Sequence, residues 1–145
     1  MNLLDSAITD ESFLLGLIPQ RKPFVMVDKL LYYSEKKIVS AFTIPQGNIL
    51  STKNHFSAPG LIENMAQTIA LHTGYKYHLA NMPAPTGYIG AIKTAEVFEI
   101  PKISQNLKTT VEILHDIMNV TLVEARVECE GKVIARSEMK TALAK

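Results

Sequence analysis

The amino-acid sequence predicts an α+β fold, in which an antiparallel sheet of about five to six strands wraps around one long central helix. The first observation is a single segment, from Leu61 to about Tyr77, that has no proline and few β-branched residues. Ile62, Met65 and Ile69 follow the helical period there, and further apolar residues widen the stripe over most of the helix surface. A helix of that kind is buried. The second observation is that strand-like segments lie on both sides of it, and a sheet also needs a face to bury.

The remaining elements follow from alternating apolar and polar residues that are separated by proline, glycine and polar turns. A short helix opens at Asp10, whose carboxylate can cap the free N–H groups of its first turn. Strands are predicted at residues 24–33, 38–44, 88–98, 107–115, 120–130 and 132–143, and loops at 45–58 and 81–87. One helix enclosed by antiparallel strands is the hot-dog arrangement, and the length of 145 residues predicts a single domain over residues 1–145.

Composition argues against several functional classes. The formal net charge is +1, from 15 basic and 14 acidic residues, which gives no electrostatic reason to expect nucleic acid or an anionic membrane as a partner. The single cysteine, Cys129, excludes an internal disulfide, and the acids beside it raise rather than lower a thiol pKa. The first residues lack the basic region of a signal peptide, and no segment is long enough to cross a bilayer. We therefore expect a cytoplasmic protein without membrane insertion.

Glu63 is the only acid in the long helix, and its position predicts a functional site. It stands two residues after the apolar segment begins, in the predicted first turn. Burying an ionised carboxylate costs several kcal/mol unless the group is paired, so a buried acid usually has a specific role. A carboxyl group that is subject to both desolvation and the positive end of a helix dipole suits general acid–base chemistry. The alternative is an ordinary helix acid held by the dipole and by free backbone N–H groups.

His55 is the natural companion of Glu63, since it precedes the helix by a few residues at the expected mouth of the site; the alternative is a surface loop histidine. Gln67 lies one turn after Glu63 on the same face and could orient the carboxyl group or satisfy a backbone group. The pair Pro59 and Gly60 would let a ligand approach the backbone and leave free N–H groups to polarise a thioester carbonyl. No cluster has metal-ligand spacing, so no metal is expected.

Three stretches of the chain resemble one known family. Residues 18–28, IPQRKPFVMVD, are similar to an N-terminal LPHRxPFLLVD stretch, with glutamine in place of the histidine. Residues 54–56, NHF, are similar to a GHFPG turn, and residues 59–67, PGLIENMAQ, to a PGxxxxEAMAQ helix. These motifs are typical of the 3-hydroxyacyl-[acyl-carrier-protein] dehydratases of the hot-dog superfamily. The resemblance covers most of the chain, and Gly90 and Pro101 match a later glycine and proline of that family.

The resemblance implies dehydration of 3-hydroxyacyl thioesters to trans-2-enoyl thioesters, in fatty acid or polyene-type biosynthesis, without a cofactor. In that family the turn histidine takes the α-proton, and the helix carboxyl group of the other subunit helps to expel the β-hydroxyl. By resemblance, His55 would be the base and Glu63 of a second copy the acid. The substrate-binding residues implied in the same way are Phe56, Pro59, Gly60, Gln67 and Gly90. The implied partners are an acyl thioester on acyl carrier protein and a second copy of the chain, in a homodimer or a larger oligomer of dimers, or else a related subunit in a heterodimer.

Two alternatives stay open because the loop before the helix departs from the family pattern. His55 precedes Glu63 by only eight residues, and the hydrophobic segment between the turn and the helix is largely missing. A hot-dog thioesterase, in which Glu63 activates water or attacks the thioester, would need no histidine in this loop. The shortened loop is also similar to dehydratase-like subunits of aryl-polyene-type pathways, which leaves a non-catalytic partner subunit as the other alternative.

Overall fold

The antiparallel sheet expected from the sequence is present, with six strands and one long helix. The structure is a computed structural model and describes residues 1–144. Its elements are, in chain order, α1 (Glu11–Leu15), β1 (Lys29–Ser34), β2 (Lys37–Thr43), α2 (Ala58–Leu79), β3 (Gly87–Val97), β4 (Asn106–Ile117), β5 (Val120–Cys129) and β6 (Lys132–Leu143). The strands lie in the order β1-β2-β4-β5-β6-β3, and every neighbouring pair is antiparallel. The predicted hot-dog fold is therefore confirmed.

The long helix α2 begins at Ala58, earlier than the apolar pattern predicted. Ser57 caps it with a hydroxyl group that accepts the N–H of Gly60, and Pro59 occupies a first-turn position where an N–H is not needed. Because of this earlier start, Glu63 lies in the second turn, and the predicted first-turn position is wrong. Neither helix of residues 1–144 is long and apolar enough to cross a membrane.

One hydrophobic core lies between α2 and the inner face of the sheet. Cross-strand neighbours on that face, such as Val111 with Ala125 and Val123 with Met139, are buried. The apolar residues of α2 in the same core include Leu61, Met65, Ile69 and Leu71. Burial of one such side chain stabilises the fold by roughly 1.5–3 kcal/mol, so the core holds the helix firmly against the strands.

The first strand is shorter than the sequence predicted. Strand β1 begins at Lys29, whereas the prediction began at residue 24. The Phe24 carbonyl and both backbone groups of Met26 bond to side chains of α2 rather than to a neighbouring strand. An apolar, β-branched segment predicts an extended chain but does not reveal which groups satisfy its N–H and carbonyl groups.

The two edges of the sheet are exposed to different degrees. The N-terminal segment covers β1, where Ile8 and Leu30 exchange two backbone hydrogen bonds and the Leu3 N–H donates to the Tyr33 carbonyl. Strand β3 forms the opposite edge and pairs only with β6, and its residues are exposed except for half-buried Val97. An uncovered edge strand is a template for pairing with another chain.

Candidate active site

Glu63 is held by a hydrogen bond from Gln67, one turn later on α2. Gln67 Nε2 donates to Glu63 Oε1 across 2.9 Å, and the Glu63 side chain is half-buried. Among residues 1–144 no group hydrogen-bonds to the second carboxyl oxygen, Oε2. A carboxyl group with one oxygen occupied and the other free can accept or deliver a proton at the free oxygen.

The side-chain amide of Gln67 has only one favourable orientation. Gln67 is fully buried; its Oε1 accepts the Met26 N–H at 2.6 Å, and its Nε2 donates to the Phe24 carbonyl at 2.8 Å. A rotation of the amide by half a turn would place an N–H against an N–H and a carbonyl against a carbonyl. The backbone thus fixes Gln67 as a donor toward Glu63. Glu63 Oε1 is therefore an acceptor, and an acidic proton on this residue resides on Oε2.

An apolar cleft of about 400 Å³ lies along the same side of α2. Ala66, Ala70 and Thr73 line it, and they share one stripe of the helix with Glu63, which stands one turn before Ala66. The opposite wall is formed by residues 16–20 and 83–89 together with Thr141 and Leu143 of β6. Glu63 itself does not line the cleft; Ala66, one turn after it, is the lining residue of α2 nearest to it in sequence.

His55 stands in a tight hairpin outside the cleft. Thr52 and His55 exchange two backbone hydrogen bonds, and Lys53 and Asn54 between them have positive φ. The imidazole is exposed, and its Nδ1 lies 3.2 Å from the carbonyl oxygen of Lys53. Because a carbonyl only accepts, this contact favours a proton on Nδ1 and leaves Nε2 as the basic nitrogen. Among the described residues of this one chain, those lining the cleft do not include His55.

Phe56 and Gly60, both expected to bind substrate, contact each other inside the chain. Phe56 is 2% exposed, and a Cβ atom at Gly60 would lie 2.5 Å from its ring. Packing against Phe56 therefore explains the glycine without a ligand. The expectation of free N–H groups at Pro59 and Gly60 is wrong, because proline has no N–H and the Gly60 N–H donates to Ser57 Oγ. Pro59 itself is exposed at the start of α2.

Gly90, the remaining residue expected to bind substrate, lies in the edge strand β3. It falls at an irregularity in the pairing with β6, between Ile89 and Ala91. A Cβ atom at Gly90 would meet only the carbonyl oxygen of Lys140, at 3.7 Å. A bulge in an exposed edge strand accounts for this glycine, and residues 87–89 of the same strand line the cleft instead.

His72, in the middle of α2, is a buried histidine remote from the expected chemistry. Its Nε2 lies 3.0 Å from the carbonyl oxygen of Ser34, and its ring is 5.0 Å from the Tyr33 ring. Burial lowers the pKa of His72, so the ring is neutral at pH 7 and donates from Nε2 to the carbonyl. Within residues 1–144, no group of three or more His, Cys, Asp or Glu side chains could hold a metal ion.

The sequence pattern did not identify two parts of this region. One is the wall of the cleft at residues 83–89, where the proline-rich loop enters β3. The other is Asn64, which is buried and contacts Met26 and Thr109. The signal in the sequence that could have identified Asn64 is a polar residue at a position of α2 that is otherwise expected to be buried and apolar. A second cavity of about 470 Å³ lies between α1 and residues 45–49, and Glu63 lines neither this cavity nor the cleft.

Comparisons with known proteins support the fold and identify the family. A model of the ApeP-like family, described as ApeP dehydratase, matches residues 14–144. The chain is 28% identical over 133 residues to the 3-hydroxyacyl-[acyl-carrier-protein] dehydratase FabZ of Aliivibrio fischeri, and the match covers 87% of each protein. The dehydratase heterocomplex ApeI:P from Xenorhabdus doucetiae superposes with a TM-score of 0.84 over 91% of both chains, at 15% identity.

A more distant structure has the same fold. The E. coli PaaI protein, from the phenylacetic acid degradation operon, superposes with a TM-score of 0.64 at 13% identity, over 78% of this chain and 80% of that protein. At identities this low, the solved structures establish only the fold. The family match covers nearly the whole sequence, and on that ground the chain belongs to the ApeP-like family of dehydratases.

Proposed function

We propose that the chain takes part in the dehydration of 3-hydroxyacyl thioesters on acyl carrier protein, with Glu63 as the general acid. The observation that carries this proposal is the environment of Glu63. Its Oε1 accepts from Gln67, its Oε2 is free, and an apolar cleft follows the same stripe of α2. Membership of a dehydratase family supports the reaction, and similarity to FabZ, whose name specifies the carrier, supports the substrate.

The reaction needs one base and one acid. The base removes a proton from C2 of the substrate, Glu63 Oε2 donates its proton to the 3-hydroxyl group, and the C3–O bond breaks. A C2=C3 double bond forms as water leaves. The base then carries one extra proton and Glu63 one fewer, and return of that proton to Glu63 completes the cycle.

A second chain is proposed to supply the base, with His55 as the candidate. Residues 87–89 belong both to the uncovered strand β3 and to the cleft, so a subunit that pairs with β3 would lie beside the cleft. The contact of His55 Nδ1 with a carbonyl favours a basic, exposed Nε2. That second chain would be another copy of this one or a related subunit, and the ApeI:P structure is by its name a heterocomplex.

A subunit that supplies only the acid is the second candidate, and the short spacing of eight residues between His55 and Glu63 favours it. His55 is exposed in its own hairpin and outside the cleft of its own chain. In this arrangement, a related subunit supplies the base, and His55 is dispensable.

Substitutions at both residues separate these possibilities. The purified protein is incubated with a 3-hydroxyacyl and a saturated acyl thioester of acyl carrier protein, beside His55→Ala, Glu63→Gln and the exposed control Glu35→Gln. Loss of enoyl product in both His55→Ala and Glu63→Gln, with activity kept in Glu35→Gln, is the result expected of a homodimeric dehydratase. Loss in Glu63→Gln alone, in an assay that includes a copurifying related subunit, supports the acid-only subunit.

Two other outcomes contradict the proposal in this protein. Release of free thiol from the saturated thioester, without enoyl product, would identify a thioesterase. Absence of turnover by folded protein, both alone and with a copurifying related subunit, would identify a non-catalytic partner.

A further inference from the structure

Asn64 stands beside Glu63, at a position where the similar helix motif has alanine. Its side chain is fully buried between α2 and the sheet. A buried amide costs free energy unless both its oxygen and its nitrogen are hydrogen-bonded. Both are: the Thr109 hydroxyl donates to Asn64 Oδ1, and Asn64 Nδ2 donates to the Met26 carbonyl at 2.7 Å.

These two bonds begin a chain of hydrogen bonds that ends on Glu63. The Met26 N–H continues it by donating to Gln67 Oε1 at 2.6 Å. Gln67 Nε2 completes it by donating to Glu63 Oε1 at 2.9 Å. Every donor in this chain is directed toward Glu63, so strand β4, which holds Thr109, is linked to the carboxyl group through Asn64, Met26 and Gln67.

Met26 is held from both sides by two residues of α2. The Met26 N–H donates to the Gln67 side chain, and the Met26 carbonyl accepts from the Asn64 side chain, so both backbone polar groups of Met26 bond to side chains. Asn64 and Gln67 are three residues apart and therefore lie on neighbouring turns of the same helix face. Without the bond from Asn64, the backbone of Met26 would bond to α2 only through its N–H, which would hold the Gln67 amide less firmly.

We infer that Asn64 is a positioning residue for Glu63, and that it acts through Met26 and Gln67. The chemical consequence rests on the proposed function, because that function gives Glu63 its role as an acid. The hydrogen-bond chain itself can be measured in protein that contains no substrate.

The test follows the side-chain amide protons of Gln67 by NMR in wild-type protein, in Asn64→Ala and in the control Ser40→Ala. Ser40 is buried in the same interface, and its hydroxyl bonds to Thr68, which donates to the backbone carbonyl of Asn64 and makes no hydrogen bond with the Asn64 side chain. We expect Asn64→Ala to speed solvent exchange of the Gln67 amide protons by about tenfold, and Ser40→Ala to leave it within about twofold. Asn64→Ser provides a second variant if Asn64→Ala does not fold.

Two results would overturn the inference: unchanged Gln67 exchange in folded Asn64 variants, or the same acceleration in Ser40→Ala. In the dehydration assay, Asn64→Ala is expected to lower kcat about tenfold with little change in KM, because a misplaced acid affects the transition state most. If Gln67 exchange responds but the wild-type protein turns over no substrate, the proposed function fails and the positioning inference stands.

Discussion

The carbonyl group of Leu17 lies so close to Gly74 that a Cβ atom at position 74 would be 2.0 Å from the Leu17 oxygen. Gly74 is buried in α2, and Leu17 belongs to the segment that follows α1. Backbone atoms cannot move aside as the end of a flexible side chain can, so the glycine permits this close approach. The same segment, residues 16–20, is one wall of the cleft that follows the stripe of Ala66, Ala70 and Thr73 on α2.

Gly74→Ala is expected to lower the free energy of unfolding by about 1–3 kcal/mol, or more if the wall cannot shift. The better helix propensity of alanine, about 1 kcal/mol, offsets part of this cost. Gly90→Ala is the matched control, because its Cβ atom would meet nothing closer than 3.7 Å. Urea denaturation should leave that variant within about 0.5 kcal/mol of wild type. Equal stabilities for both variants would show that the contact with Leu17 is not as close as described.

Gln67→Leu is expected to destabilise the protein by at least about 2 kcal/mol, since the Met26 N–H and the Phe24 carbonyl both lose their partner. Leucine has a similar volume, so lost hydrogen bonds rather than a cavity would dominate the change. Gln20→Leu is a suitable control, because the buried Gln20 Oε1 has no partner among residues 1–144. Chemical denaturation of the two variants compares them directly. A Gln67→Leu protein as stable as Gln20→Leu would contradict the fixed amide orientation.

Stability is expected to fall in mildly acidic solution because of His72. Burial lowers its pKa below the ordinary value of 6.5, so the unfolded chain binds a proton that the folded chain does not. The stability that depends on an uncharged His72 is fully present above pH 6.5 and declines as the pH falls below that value. His72→Phe removes the titrating group. The unfolding free energy of wild type minus that of the variant should therefore decrease from pH 7.5 toward pH 5. Thermal or urea unfolding at several pH values measures it, and a constant difference would contradict a buried neutral ring.

The uncovered strand β3 is expected to be the dimer interface. Ile92 of β3 is 46% exposed and pairs with Met139 of β6, which is buried against α2. The Ile92 side chain therefore lies on the same face of the sheet as Met139, at the uncovered edge. Ile92→Lys would bury a charge in a strand-paired dimer and is expected to shift the protein toward monomer in light scattering. Ile117→Lys, at the exposed tip of the β4–β5 hairpin, is the control and should remain dimeric. Monomeric wild-type protein, or dissociation caused equally by Ile117→Lys, would place the interface elsewhere.

Local patterns in the sequence predicted the order of the elements and the location of Glu63 on the long helix. The period of α2, the alternation of the strands and the cap at Asp10 each depend on neighbours within a few residues, so they are readable without the fold. The extended segment at residues 24–28 was mistaken for part of a strand. Its partners, Asn64 and Gln67, lie about forty residues away, and no local pattern reveals such a contact.

The sequence alone therefore determined the class of fold, the buried helix and the single carboxyl group within it, because periodicity and burial follow from the spacing of apolar residues. Only the tertiary structure decided which oxygen of Glu63 is free, since that depends on the backbone groups that orient Gln67. It also decided that Phe56 and Gly60 pack against each other, and that His55 lies in a hairpin outside the cleft of its own chain. These are contacts between distant segments, and they exist only once the sheet has closed around α2.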